Sequence, residues 1–204
     1  MIDLNVQAPI CPTSYGVVSY LILDALNKTG EFNIAYDPIG RLDTSQFEDP
    51  SFLYTFVANI KKYNKNAPCL KIFHENMLAT RIGSGALIGY SFFEKDDMAE
   101  DAVHHANCCD VFCVSSEWAK GVAVKSGVST RIEVLHPIVP TSRLYNIACD
   151  CTSGEERDTI KFLHIGKMEE RKNQVNMINA FGEAFDQFHN VELSILWDSP
   201  FIIR

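Results

Sequence analysis

The sequence predicts an α/β fold built on a parallel β-sheet. Apolar runs typical of buried strands alternate with helix-like segments along most of the chain. The chain has 204 residues and is 47% hydrophobic, which is enough for a sizeable core and allows at most two domains. No internal repeat or low-complexity tract interrupts this alternation. We therefore expect a parallel sheet with helices on both faces.

The first elements follow in order from the N-terminus. Residues 2–9 read as a strand that ends in a proline-rich loop. A helix from about Gly16 is apolar on most sides, as expected of a helix that packs on a sheet. After a strand at 32–37, Asp49 and Pro50 open a helix to about residue 63, since proline is tolerated in the first helical turn. Strands at 68–74 and 86–94 complete this stretch.

The next segment repeats the rhythm. A helix at about 96–107 leads to an apolar strand at 110–115. Ser116 is then placed to cap a helix, with Glu117 near its positive end. Another strand, at 130–137, ends the region.

Composition divides the chain into three parts. We expect a Rossmann-like domain over residues 1–140, an irregular polar linker with proline and glycine over 141–158, and the start of a second domain over 159–204. Within the last part the pattern predicts one strand–helix–strand unit, with a strand at 159–166, a helix at 172–187 and a strand at 191–197.

Charge and hydropathy exclude several classes of protein. The net charge of −8 argues against a nucleic-acid partner, which usually needs a basic surface. No apolar run reaches the roughly 18 residues of a membrane span, and the N-terminus lacks the pattern of a signal peptide. The sequence therefore predicts a cytoplasmic protein without a transmembrane segment, whose seven cysteines are free thiols.

The stretch "HHANCCDVFC" raises the alternative of a zinc site. It holds the following candidate ligands: His104, His105, Cys108, Cys109 and Cys113. Their spacing matches neither paired C-x₂-C units nor the usual finger pattern. Cys113 also falls within an apolar strand, where cysteine behaves as a small hydrophobic residue. We expect no metal here.

A charged loop follows the strand at 159–166. Parallel α/β sheets bind ligands at the carboxyl ends of their strands, and this loop joins such an end to a helix N-terminus. Gly166 would let the backbone approach a ligand, and Lys167 and Lys172 would supply charge for a phosphate or diphosphate. Charge pattern alone favours the alternative, a solvated turn in which Glu169 and Glu170 pair with their basic neighbours.

The same residues carry a resemblance. The segment "FLHIGKMEERKNQVNMINAF" resembles the start of the second domain in retaining glycosyltransferases of family 4, which have the GT-B architecture. That pattern is an apolar strand, Gly-Arg, four variable residues, Lys with Gly or Asn, and a helix ending near Ala-Phe. The matching positions in this chain are Gly166, Lys167, Lys172, Asn173, Ala180 and Phe181.

The N-terminal half resembles the same family independently. "APICPTSYGVVSYLILDAL" is similar to its first strand, glycine-containing loop and helix. "FFEKDDMAEDAVHHANCCDVFCVSSEWAKGVAVKSGVSTRIEVLHP" is similar to its acidic residue, helix, strand, "SGV" turn and following strand. The resemblance covers most of the chain in the right order and implies a GT-B-like fold, with an acceptor-side domain at residues 1–140 and an incomplete nucleotide-sugar-binding domain at 159–204.

The resemblance implies a hexosyltransferase, which moves a sugar from a nucleotide-diphosphate donor to a hydroxyl acceptor with retention. Lys167 and Lys172 would bind the donor diphosphate beside Gly166, without a metal or another cofactor, because basic side chains and a helix N-terminus stabilise the departing charge. Lys167 departs from the commoner arginine and lacks its bidentate fork.

Further residues follow from the resemblance in the first domain. His74 corresponds to a histidine near the sugar and acceptor, and the alternative is an ordinary polar residue at a strand end. Gly16 corresponds to the N-terminal loop that approaches the donor phosphates or the acceptor, and the alternative is a helix-start glycine. The resemblance implies that both lysines face the loop around Tyr15 and Gly16, with His74 opening onto the same space.

Length is the largest departure from the family. The Glu-x₇-Glu segment of the second domain has no counterpart before Arg204. Two hypotheses stand. The first is a retaining glycosyltransferase, at least as part of a longer or split enzyme, with a homo-oligomer or a separate chain as a source of the missing half. The second is a non-catalytic binding or partner-interaction protein built on the GT-B N-terminal domain. A dehydrogenase is poorly supported, because no G-x-G-x-x-G follows the first strand.

Overall fold

Six parallel strands form the sheet of the first part of the chain. In a computed structural model that describes residues 1–138, 159–185 and 190–198, their order is β2-β1-β3-β4-β5-β6. The strands are β1 (Ile2–Ala8), β2 (Phe32–Pro38), β3 (Cys69–Ile72), β4 (Leu87–Ser91), β5 (Val111–Val114) and β6 (Arg131–Val134). Every neighbouring pair is parallel. The predicted α/β class and parallel sheet are confirmed, and the arrangement is compatible with a Rossmann-like domain.

The chain divides into two units, Met1–Tyr145 and Asn146–Arg204, and each is described by itself. The predicted linker at 141–158 lies outside the described residues. None of the helices in the described ranges is long and apolar enough to cross a membrane.

Helices cover both faces of the six-stranded sheet. They are α1 (Ser14–Thr29), α2 (Ser51–Asn59), α3 (Glu100–Asn107) and α4 (Glu117–Lys125). On one face, Val6 and Ile34 are buried in a cluster with residues of α1 and α2. On the other face, Leu87 and Phe112 are buried in a cluster with residues of α3 and α4. Successive strand residues point to opposite faces, so the near-continuous apolar runs of the sequence serve two cores.

One helix start was predicted from the local sequence, and another depends on a contact that the local sequence does not show. The predicted Ser116 cap is confirmed, since its Oγ accepts a hydrogen bond from the Ala119 amide at 3.1 Å. Helix α3, by contrast, begins at Glu100 and not near residue 96. The Met98 amide donates to Ser126 Oγ at 3.0 Å, and the residue that follows has an extended backbone, which delays the first helical turn.

One half of the sheet is polar on a single face. Gln7 of β1 pairs in register with Asp37 of β2 and Lys71 of β3, so the three residues form a row across the strands. Gln7 Nε2 donates to Asp37 Oδ2 at 2.6 Å. Lys71 is only 5% exposed, with its Nζ 3.5 Å from Gln7 Oε1 and 3.4 Å from Thr80 Oγ1. Side chains on this face therefore bond to one another instead of packing as a hydrocarbon layer.

The second unit is a two-stranded parallel sheet with one helix. Its elements are β7 (Ile160–Lys167), α5 (Gln174–Ala184) and β8 (Val191–Asp198). Phe162 of β7 packs on Phe181 of α5 with ring centroids 5.5 Å apart. Helix α5 begins two residues later than predicted, after a 3₁₀ turn at Glu170–Lys172 and a left-handed residue, Asn173, with φ 57°.

The opposite face of this small sheet is apolar and exposed. Leu163 and Ile165 alternate along β7 and are 67% and 65% exposed, and Leu196 of β8 is 62% exposed. Register places Ile165 beside Leu196. Lys161 and Glu192 form an ion pair of 3.7 Å at the amino end of the same face.

Candidate functional site

Two residues predicted for the site meet where the strand order of the first sheet reverses. Strand β1 is followed in the chain by β2 on one side, whereas β3 lies on its other side. Ligands of open parallel sheets bind in the crevice at the carboxyl ends of strands at such a switch point. Tyr15 from the first turn of α1 and His74 after β3 lie there in edge-to-face contact, with ring centroids 4.8 Å apart.

Tyr15 is held in place by the end of β4. Its ring stacks on Phe92 with centroids 3.8 Å apart. Its hydroxyl donates to the Phe92 carbonyl at 2.8 Å, accepts from the Phe92 amide at 3.2 Å and lies 2.9 Å from Ser91 Oγ. Burial raises the pKa of Tyr15, so the hydroxyl keeps its proton at neutral pH. Tyr15 is thus fixed at the end of β4, and its ring also contacts His74.

His74 lies on the open side of this cluster. Strand β3 ends at Ile72, two residues before the predicted end, and His74 immediately precedes a 3₁₀ turn at Glu75–Met77. The His74 side chain is exposed and also contacts the Phe73 ring at 4.9 Å. Glu75 Oε2 accepts from the buried Ser91 Oγ at 3.5 Å. An imidazole and a carboxylate therefore occupy one loop at the carboxyl edge.

Gly16 is packed against its own loop. A Cβ at this position would overlap the Cys11 carbonyl oxygen and would lie 2.8 Å from Cys11 Sγ. The lack of a side chain lets the loop after β1 fold over the start of α1. This geometry favours the helix-start interpretation of Gly16, in which the space is used by the protein itself.

The basic loop of the second unit combines both of the arrangements considered from the sequence. Glu169 pairs with Lys167 at 3.9 Å and with Arg171 Nε at 2.9 Å, as the solvated-turn alternative expects. The Lys172 side chain is exposed and has no hydrogen bond or ion pair to other residues that the structure describes. The charge of Lys172 is therefore available to a ligand.

A cavity of about 470 Å³ lies at the start of α5. Its lining comes from the loop after β7, the first turn of α5 and β8: Met168, Glu169, Glu170, Asn173, Gln174, Val175, Asn176 and Trp197. Trp197 is oriented by a hydrogen bond from its Nε1 to His164 Nδ1 at 3.1 Å. Gly166 precedes this loop, and a Cβ there would have His164 Cε1 as its nearest neighbour, at an ordinary 3.6 Å. Packing among the described residues therefore does not require a glycine at this position.

Asn173 gives the loop its shape. Its φ of 57° is in the left-handed region that glycine and asparagine tolerate best. This is the position at which the resembled pattern has Gly or Asn, and the backbone supplies a physical reason for that choice. The left-handed conformation of Asn173 separates the 3₁₀ turn that contains Lys172 from the first turn of α5.

In the cysteine–histidine stretch, as in the rest of the described part of the chain, no three or more metal-ligating side chains come together. His105 Nδ1 accepts a hydrogen bond from the Ala79 amide at 3.0 Å. Burial, and then the neighbouring Cys108, raise the pKa of Cys109 to about 12, so this thiol stays protonated. Cys113 is buried in β5, as its apolar surroundings predicted.

Three residues of the crevice, Ser91, Phe92 and Glu75, were not predicted from the sequence. Ser91 and Phe92 depend on Tyr15 reaching the end of β4 from 76 and 77 positions away, and Glu75 depends on its contact with Ser91, 16 positions away. The polar Ser91 at the end of an apolar strand is the one local signal that could have indicated them. Tyr15 and His74 are brought together, whereas Lys167 and Lys172 belong to the other unit, so the expected convergence of the two groups stays a prediction.

Searches for similar proteins add no assignment: no family model matches the chain, and neither the curated proteins nor the solved structures gave a match.

Proposed function

We propose that this protein transfers a sugar from a nucleotide-diphosphate donor to a hydroxyl acceptor with retention, alone or as part of a larger enzyme. One observation carries the proposal. An exposed Lys172, unpaired among the described residues, immediately precedes the left-handed Asn173, and Asn173 lines a cavity of about 470 Å³ at the start of α5. This arrangement fits the resemblance to family 4 glycosyltransferases of the GT-B type.

Sugar transfer from such a donor requires positive charge near the departing diphosphate. A departing nucleoside diphosphate carries negative charge, and donors already in position stabilise it. Lys172 offers an ammonium group without a partner in the described ranges, and the first amides of α5 add the positive end of a helix. Lys167 contributes less in this proposal, because Glu169 lies 3.9 Å from its ammonium group.

Glu169 and Glu170 line the same cavity and would repel a phosphate. Glu169 is neutralised by Lys167 and Arg171. The nucleotide ribose, whose hydroxyl groups donate hydrogen bonds, is the part of the donor that suits the remaining carboxylate. Within the first unit, His74 and Tyr15 would serve the sugar and the acceptor.

Titration calorimetry with uridine, guanosine and adenosine diphosphates tests the donor site without knowledge of the acceptor. One charge-assisted contact is worth about 1.5–3 kcal/mol, so Lys172→Ala should weaken binding by roughly tenfold or more. Lys167→Ala should have a smaller effect. The matched control is Lys161→Ala, which removes an exposed lysine at the far end of β7. If the Lys167→Ala/Lys172→Ala protein binds as tightly as the wild type, the loop is only a solvated turn.

A second candidate function is a non-catalytic interaction protein. The exposed face with Leu163, Ile165 and Leu196 favours it, because apolar surface of this kind is often covered by a partner. Light scattering over a range of concentrations tests whether the partner is a second copy. Leu163→Lys should then reduce the measured mass, and Lys161→Ala should not. A mass that stays monomeric at all concentrations removes the support for self-association.

A further inference from the structure

The amino ends of β1 and β2 form a pocket that the proposed transfer reaction does not use. Its volume is about 230 Å³, and its lining is almost entirely polar: Asp3, Asn5, Asn33, Ala35, Asn59, Lys62, Tyr63 and Asn64. Strand residues rise about 3.3 Å each, so Asp3 lies roughly 16 Å from the carboxyl end of β1 where Tyr15 and His74 meet. The pocket is therefore a separate place on the same sheet.

A buried asparagine of β1, Asn5, is part of the lining of this pocket. Asn5 is 1% exposed, and its Nδ2 donates to the Asn64 carbonyl at 2.8 Å. Its Oδ1 accepts no hydrogen bond from any residue in the described ranges. Asn5 Oδ1 is not one of the fully buried unpaired atoms of the described residues, so it is open to the pocket and can accept a hydrogen bond from a ligand there.

Two further asparagines show the same pattern. Asn33 Nδ2 donates to Asp3 Oδ1 at 2.9 Å, and Asn59 Nδ2 donates to the Ile34 carbonyl at 2.9 Å. These bonds fix both carboxamides, and among the described residues neither Oδ1 receives a donor. Three asparagine side chains, each held by a hydrogen bond from its Nδ2, thus line one small space.

The charges in the pocket balance. Hydrogen bonds from Asn64 and then Asn33 lower the pKa of Asp3, so its carboxylate is ionised at neutral pH. Lys62 supplies the opposite charge. A cation would meet the ammonium group of Lys62, and an anion would meet the carboxylate of Asp3, so neither is favoured. The asparagine carboxamide oxygens can accept hydrogen bonds, and the Lys62 ammonium group and the Tyr63 hydroxyl can donate them. This combination suits a ligand with hydroxyl groups, because a hydroxyl both donates and accepts.

We propose that this pocket binds a neutral polyhydroxylated molecule of monosaccharide size, through the carboxamide oxygens of Asn5, Asn33 and Asn59. A water molecule takes up about 30 Å³ of liquid volume, so the pocket has room for roughly eight, which is comparable with a six-carbon sugar ring and its hydroxyls. The site is independent of the proposed sugar transfer and stands if that function fails.

Nuclear magnetic resonance of the labelled protein tests the site through the side-chain amides of Asn5 and Asn59. The probes are glucose, mannose, N-acetylglucosamine and inositol. At least one should cause saturable shifts of these amides. Asn33→Ala removes one hydrogen bond at an exposed position, so it should weaken that binding by about three- to tenfold. Lys62→Ala should weaken it as well, while the neighbouring Lys61→Ala, outside the lining, should leave it unchanged.

Three results would overturn the proposal. The first is the absence of saturable shifts with all four probes. The second is equal binding by the wild type, Asn33→Ala and Lys62→Ala. The third is stronger shifts with ethanolamine or inorganic phosphate than with any polyol, which would make the pocket an ion site. Nucleoside diphosphates should not shift these amides, which separates this test from that of the donor site.

Discussion

The Tyr15 hydroxyl lies 2.9 Å from Ser91 Oγ, although 76 residues separate the two in the chain. The contact joins the first turn of α1, which follows β1, to the carboxyl end of β4, and β3 lies between β1 and β4 in the sheet. His74 packs against the same tyrosine ring. The Tyr15 side chain therefore both links α1 to the end of β4 and helps to position the His74 imidazole.

Tyr15→Phe should destabilise the protein while keeping the ring contacts. The Phe92 amide and Ser91 would lose their common partner, at a cost of about 1–3 kcal/mol. Chemical denaturation measures this loss. The control is Tyr54→Phe, whose hydroxyl is exposed and 3.4 Å from Thr44 Oγ1, with an expected change below about 0.5 kcal/mol. Equal losses in the two variants would show that the Tyr15 hydroxyl is not an anchor.

Gly16 and Gly121 should respond in opposite directions to alanine. Gly16→Ala would drive a Cβ into the Cys11 carbonyl oxygen, so the loop after β1 must move, and we expect a loss of about 2 kcal/mol or more. Gly121 lies inside α4, and a Cβ there would have open space around it within the described part of the chain, so alanine should stabilise by up to about 1 kcal/mol. Thermal unfolding compares the pair, and a stable Gly16→Ala protein would contradict the packing described for Cys11.

Asn173 should accept glycine and resist alanine. A left-handed conformation costs an ordinary residue about 1–2 kcal/mol more than glycine. Both substitutions remove the 2.7 Å hydrogen bond from Asn176 Nδ2 to Asn173 Oδ1, so their difference isolates the backbone effect. Hydrogen exchange of the α5 amides provides the measurement. Faster exchange in Asn173→Ala than in Asn173→Gly is expected, and the reverse order would exclude a left-handed residue at this turn.

Lys71 should reduce stability at neutral pH. Burial lowers the pKa of its ammonium group, so the folded protein binds this proton more weakly than the unfolded chain. Stability therefore rises with pH as the pH passes through the folded pKa toward the unfolded value of about 10.4. Lys71→Met should raise the unfolding midpoint at pH 7 by about 2–4 °C.

The advantage of Lys71→Met should shrink toward pH 10, where the wild-type lysine no longer has to carry its charge. Thermal unfolding at both pH values follows the change. Lys65→Met, at an exposed lysine, is the control and should show no comparable dependence on pH. A benefit of Lys71→Met that is constant across this range would contradict the role of desolvation.

The succession of strands and helices along the chain could be predicted from the sequence, because each of these elements depends on residues that are close together in sequence. The apolar run of β5 and the Ser116 cap are examples, and both are confirmed. The start of α3 could not be predicted, because Ser126 from the end of α4 binds the Met98 amide. Helix α5 was placed too early for a related reason: the pattern of charges gives no sign that Asn173 turns the backbone before the helix begins.

The candidate site likewise contains residues that the sequence indicated and residues that it did not. The resemblance to family 4 glycosyltransferases singled out Tyr15 and His74, and the folded chain places them in contact. The pairing of Glu169 with both Lys167 and Arg171 depends on side-chain conformations within a short turn, which the sequence left as an alternative. Ser91 and Glu75 depend on distant contacts, so no local pattern indicated their part in the cluster.

Strand β6 limits how copies of this chain can associate. It lies at one edge of the six-stranded sheet, has only four residues and carries the Arg131–Glu133 ion pair of 2.8 Å on one of its faces. An edge strand this short offers few backbone hydrogen-bonding groups to an incoming strand. Pairing with it would also remove water from the charged side chains of Arg131 and Glu133, which is unfavourable. The first unit is therefore protected at this edge against strand-by-strand growth into extended aggregates, and the protection has a physical basis in one short strand.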